Sequence, residues 1–327
     1  MTATDLAKPG RPAPARSGAR RAEPAAASRL ARVRTRFAAA REAPPLPPAS
    51  PGVSLTVSVL FMLSVTAVWL LIYGVFLSGI QERSAQHRLY SQLRFSLAQE
   101  VAPLGGAIKP GTPLAVISMP AAGLNRAVVV EGTTSTVLRD GPGHQQNTPL
   151  PGQLGWSVLM GRSVSFGAPF KDIGSLHPGD IITATTQQGT FHYSVINVRH
   201  NGDPLPPPVP DGGGRLTLVS SQGSGWRAGW APSHEVFVDA ALKEKALLAP
   251  AGRPTVIAPS ATAMHSDTSG LESLVLWLQA LLIVGGATVW ASSRWGLWQA
   301  WLAGAPVILA LVWVVSSNVF RLLPNLM

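Results

Sequence analysis

The chain contains no cysteine. That absence excludes a disulfide, a thiolate nucleophile and a thiolate-held metal, and leaves oxygen and nitrogen chemistry to any reactive site. Charge is also scarce: 13% of the residues are Asp, Glu, Lys or Arg, and 16 acidic side chains stand against 26 basic ones. Such a thin charged complement, beside a hydrophobic content of 46% and 10 tryptophans, describes a membrane protein with a globular part rather than a fibrous or disordered chain. No group of His, Asp and Glu has the spacing of a metal site, and neither a metal nor another cofactor is expected.

The net charge of +10 does not lead to nucleic acid, because most of it sits in one place. Residues 1–52 carry a net +7 of that total in an Ala/Pro/Arg-rich tract with few large apolar side chains. A stretch of this kind cannot bury enough surface to offset chain entropy, so it is expected to be a disordered cytoplasmic tail. Residues 53–80 then hold no charged side chain and are long enough to cross the bilayer as an uncleaved helix. A second apolar region reads as two further spans, 271–291 and 297–319, joined by a short turn around Arg294. The positive-inside rule places the N-terminus and the Arg294 turn in the cytoplasm, and residues 81–270 and the C-terminus outside the plasma membrane. Trp277, Trp290, Trp295, Trp298 and Trp301 fall where interfacial aromatics belong.

Between the spans, Leu89, Leu93 and Leu97 recur four apart, which predicts a short juxtamembrane helix and linker over 81–111. From Leu114 the texture changes to short β-branched runs, among them Ala127–Val130, Ile181–Thr186, Phe191–Val198, Leu216–Val219 and Val236–Val238. Separated by Gly, Pro, Asn and Asp, they predict a compact all-β domain over 112–245. The Pro-rich stretch Pro204–Gly214 reads as a long loop, and 246–270 as a linker back to the membrane.

Several strings in this region, in order, resemble the sortases of actinobacteria, most nearly class E. They are Val130–Thr134 (VEGTT), Leu138–His144 (LRDGPGH), Thr148–Gly155 (TPLPGQLG), Gly161–Phe170 (GRSVSFGAPF), Leu176–Ile181 (LHPGDI), Gly189–Val195 (GTFHYSV) and Leu216–Ser221 (LTLVSS). The resemblance implies a closed β-barrel of about eight strands with a groove on one wall, in which family members hold a peptide sorting signal. It also implies a cysteine nucleophile, a proton-carrying histidine and an arginine that stabilises the oxyanion, three groups that must converge on one carbonyl. Here Ser221 stands at the cysteine position, Arg162 at the histidine position and His234 at the arginine position, with Arg227 as a displaced arginine. A serine hydroxyl needs a base, and an ever-protonated guanidinium is not one, so no catalytic residue of the ordinary kind is expected.

The leading expectation is therefore a pseudosortase: a membrane-anchored barrel that binds or scaffolds another cell-envelope or membrane protein, for instance through a C-terminal peptide resembling a sorting signal. Arg162, Ser220, Ser221, Trp226, Arg227, Trp230 and His144 are its candidate groove or partner-binding residues. His144, in the GPGH string, also reads as a residue that fixes loop geometry. One alternative is a serine-dependent acyltransferase or peptidase pairing Ser221 with His234. Another is a purely structural subunit of a membrane complex, with the groove closed by Arg162 and the Pro204–Gly214 loop.

Overall fold

Alternation of apolar and small or polar residues is the sequence feature that builds the central domain. The computed structural model of the chain describes residues 51–223 and 232–327. Eight strands close into a barrel: β1 (Pro113–Met119), β2 (Leu124–Glu131), β3 (Gly143–His144), β4 (Gly155–Met160), β5 (Ile181–Thr186), β6 (Gly189–His200), β7 (Gly214–Gln222) and β8 (His234–Leu242). Their order around the barrel is β1-β2-β3-β4-β7-β8-β6-β5. Neighbours run antiparallel except at β2–β3 and β4–β7, which are parallel. Closure removes the free edges that an open sheet would expose.

Because successive side chains alternate between faces, each strand contributes every second residue to the interior. Leu216 and Leu218 of β7 join Leu159 of β4, Val236 and Val238 of β8 and Phe191 of β6 in one apolar core. Strand β7 is buried from Gly214 to Ser221, on both faces. Its outward residue Val219, with Val158 and Met160 of β4, forms a second, smaller cluster outside the barrel. Something must therefore cover this wall from outside, and it is this wall that carries the candidate site.

Three helical stretches are long and apolar enough to cross a membrane. Helix α1 (Pro51–Ile72) passes through a π-helical turn, Tyr73–Leu77, into α2 (Ser78–Ala98). Helices α3 (Leu271–Trp295) and α4 (Leu297–Arg321) form a hairpin that breaks at Gly296, whose φ of 108° suits glycine. Helix α2 is pinned to the barrel by Gln86, which accepts from the Val128 N–H at 2.7 Å and donates to the Asp140 carbonyl at 2.8 Å. Leu93, from the leucine stripe, is buried in that helix together with Ser78 and Ala85.

Candidate functional site

The cover over β4 and β7 is the chain's own C-terminal segment, residues 322–327, together with the turn at 259–265. Leu326 is fully buried among Leu138, Val158, Met160 and Val219, with Ala263 and Met264 packed beside it. The preceding side chain, Asn325, is also fully buried, and its Nδ2 donates to the carbonyls of Thr133 and Thr262, each at 2.8 Å. Its main-chain N–H donates to the His265 carbonyl at 2.9 Å.

Strand alternation sends Ser221 to the outer face with Val219, and so to this segment. Its hydroxyl donates to the Leu326 carbonyl at 2.7 Å and lies 2.7 Å from the Ser163 hydroxyl. Ser163 adds its main-chain N–H at 3.0 Å and its hydroxyl at 3.3 Å to the same Leu326 oxygen. One peptide carbonyl thus sits inside a fence of donors. Ser220, one residue earlier, points the other way and donates to the Gly161 carbonyl at 2.9 Å.

Arg162 has no exposed surface. Its Nη1 donates to the Met327 main-chain oxygen at 2.6 Å and to Ser165 Oγ at 3.1 Å, and its Nη2 donates to the carbonyl and hydroxyl of Ser135 at 2.9 and 2.7 Å. The guanidinium lies 5.0 Å from the centre of the Phe166 ring. Among the described residues no Asp or Glu side chain pairs with it, and its Nε has no partner. Desolvation pulls its pKa down to about 9, with the charge of Arg139 acting in the same direction.

The serine–histidine dyad does not form. Ser221 pairs across the ladder with Glu235, and His234 pairs with Gln222, so alternation puts His234 on the opposite face from Ser221. The imidazole is exposed and its Nδ1 bonds the adjacent Ser233 hydroxyl at 2.9 Å. No imidazole among the described residues bonds Ser221, and the groove-facing residue opposite it on β8 is Glu235.

His144 is buried away from these contacts. Its Nε2 donates to the Pro149 carbonyl at 3.0 Å, and its Nδ1 lies 2.8 Å from the Glu131 carboxylate. The arrangement ties β2, β3 and the following loop together. Trp226, Arg227 and Trp230 lie outside the described residues. The Pro204–Gly214 loop is largely exposed and gives no hydrogen bond to Arg162 or Ser221; the groove is filled by residues 322–327 instead.

Sequence reasoning missed Ser135, Ser163, Ser165 and the whole of 322–327. Ser163 and Ser165 lie in the GRSVSFG stretch, where hydroxyls cluster beside Arg162 in sequence, and that clustering was the available signal; Ser135 lies in the TTST stretch, remote from Arg162 in sequence. The hexapeptide carries no periodicity to read.

A sortase-domain family model matches residues 117–219. Among solved structures, sortase E from Streptomyces avermitilis is 31% identical, with 42% of this chain and 91% of that chain covered and a TM-score of 0.34. The sortase D5 transpeptidase of Clostridium perfringens is 22% identical over 49% of this chain and 99% of its own, with a TM-score of 0.39. A sortase from Actinomyces oris is 24% identical over 43% of this chain and 84% of its own, with a TM-score of 0.37. No curated protein matches the chain.

Proposed function

The chain belongs to the sortase family, and from that premise we propose that it is a catalytically silent member whose groove binds extended peptide on behalf of other cell-envelope proteins. The observation that carries this reading is the direction of the Ser221 hydrogen bond. A nucleophilic hydroxyl gives its proton to a base and turns a lone pair on the carbonyl carbon. Ser221 instead gives its hydrogen to a peptide carbonyl oxygen, and the position of the family's proton carrier is held by a guanidinium. The donors around Leu326 bind main chain, which supports peptide recognition without cleavage.

In this reading α1, α3 and α4 cross the plasma membrane, with the N-terminus cytoplasmic and the barrel outside. Docking of residues 322–327 on the barrel supports that topology, because the segment must leave α4 on the barrel's side of the bilayer. The expected partners are exported segments of cell-envelope or membrane proteins. One observation favours a second reading, a purely structural subunit: the groove is already filled by the chain's own residues.

Two probes applied in native membranes test these readings. A fluorophosphonate is expected to leave Ser221 unlabelled, and a Ser221 adduct would make the protein a serine enzyme after all. A photoreactive residue replacing Val137, on the loop beside the groove, is expected to cross-link a segment of another envelope protein. Cross-links confined to this chain would leave the structural subunit standing.

A further inference from the structure

Three features of the segment 323–327, which follows α4 directly, match what a bound peptide presents to a receptor. Its main-chain oxygens at Leu323, Leu326 and Met327 each accept from a barrel side chain, namely Ser135, Ser221 and Arg162. It fills an apolar pocket with one aliphatic side chain, Leu326, and a polar one with a carboxamide, Asn325. The pocket floor is made by strands β4 and β7, remote in sequence from the segment, with Leu138 and the turn at 259–265 forming its sides. Without the segment, Val219, Val158 and Met160 would lose the side chain that covers them, and Arg162 would keep Ser135 and Ser165 but lose its bond to the Met327 oxygen, leaving an apolar strip beside a buried charge, a surface that calls for an occupant.

We infer that Leu323–Met327 is a tethered ligand of the groove, and that peptides from other proteins bind only by displacing it. The inference rests on the peptide-binding reading above and sharpens it. The pockets define the ligand class as an extended peptide with a carboxamide side chain followed directly by a medium aliphatic one. Arg162 and Ser221 grip main-chain oxygens and so hold any sequence; Leu326 and Asn325 fill the side-chain pockets and set the choice. A tethered occupant lowers the apparent affinity for a competitor by the fraction of time the groove is free. The protein then responds only to ligands that are concentrated or better matched than its own segment.

The lack of native cysteine makes a single introduced thiol an unambiguous reporter. In the full chain in lipid nanodiscs, Leu326→Cys is expected to react with maleimide about tenfold more slowly than Leu248→Cys, whose native side chain is 80% exposed. Adding the synthetic hexapeptide Leu-Leu-Pro-Asn-Leu-Met should accelerate the Leu326→Cys reaction. In the cysteine-free chain, Leu326→Asp, which drives a charge out of the apolar pocket, should bind the fluorescent hexapeptide about tenfold more tightly than wild type. Asn325→Ala provides a milder undocking variant and should shift affinity in the same direction. Equal maleimide rates at 326 and 248 overturn the inference, while hexapeptide binding by wild type would still uphold the peptide-binding reading. A protected Leu326→Cys with no hexapeptide binding by wild type or either undocked variant overturns both.

Discussion

Arg162 is a cation placed where water cannot reach it, held by the Met327 main-chain oxygen and by Ser135 and Ser165, with no Asp or Glu side chain among its hydrogen-bond partners in the described residues. Its charged form loses solvation on folding, and burial draws its pKa to about 9, below its value in an unfolded chain. Above about pH 9 the unfolded chain therefore holds a proton that the folded chain has released, and the free energy of unfolding rises with pH. Below that point both states are protonated and the contribution is flat. Thermal unfolding of wild type and Arg162→Met, compared from about pH 8 to about pH 10, is expected to show wild type gaining on the variant, by at most about 1.4 kcal/mol per pH unit. Parallel curves would refute the assignment. The range stops there because Tyr193, pushed up to about 12 by burial, has the opposite sign: the unfolded phenol ionises first and destabilises the fold. Ser221→Ala removes one donor from the Leu326 carbonyl, worth about 1 kcal/mol. The substitution is expected to speed maleimide labelling of Leu326→Cys about fivefold; an unchanged rate would mean that the hydroxyl does not hold the segment.

Among the elements, the join between α1 and α2 connects the membrane to the groove. The π-turn at Tyr73–Leu77 presents Tyr73 to Trp313 and Phe320 of α4, at ring-centroid distances of 5.2 and 5.4 Å. Gly74 lets the two helices meet there, since a Cβ at that position would lie 2.5 Å from the Phe320 ring. Small residues permit such approaches in helix pairs where lipid supplies no hydrophobic drive. Gly74→Val is thus expected to push α4 aside and raise Leu326→Cys labelling several-fold, even though Gly74 touches no groove residue; labelling at the wild-type rate would show that the helix contact and the groove are independent. The strands were legible because alternation and turn glycines are local signals, and Ile181–Thr186 was found to the residue. Arg162 and Ser221, singled out from the resemblance, are brought by the fold to one segment. The contacts that fill the groove were not, because Leu326 meets Ser163 and Ser221 across more than a hundred residues and a six-residue extension has no period of its own. The Ser221–His234 pairing fails by one step along β8, which in a strand means the opposite face.

For the whole molecule, the docked segment turns a local contact into a constraint on membrane topology. The barrel follows one candidate span and the segment follows two more, so barrel and segment share a side if α3 and α4 cross as a pair or if neither crosses, and never if one crosses alone. Arg294 at their turn is a single positive charge, weak by itself as an orienting signal. The hydrogen bonds of Arg162 and Ser221 to residues 326 and 327 argue the same parity independently. Single cysteines in the otherwise cysteine-free chain can read it in intact cells. A membrane-impermeant maleimide is expected to label Leu248→Cys at once, and Trp295→Cys, at the hairpin turn, only after permeabilisation. If Trp295→Cys labels from outside, the hairpin does not cross, and α3 and α4 lie along the outer surface beside the barrel. The segment could still dock in that arrangement, but the positive-inside reading of Arg294 would be wrong, and the apolar faces of both helices would have to be covered by lipid headgroups or a partner. If instead the expected pattern holds, the groove and its tether sit outside the membrane at the end of a helix that spans it, and a force or partner acting on α4 within the bilayer has a direct covalent line to the ligand in the groove.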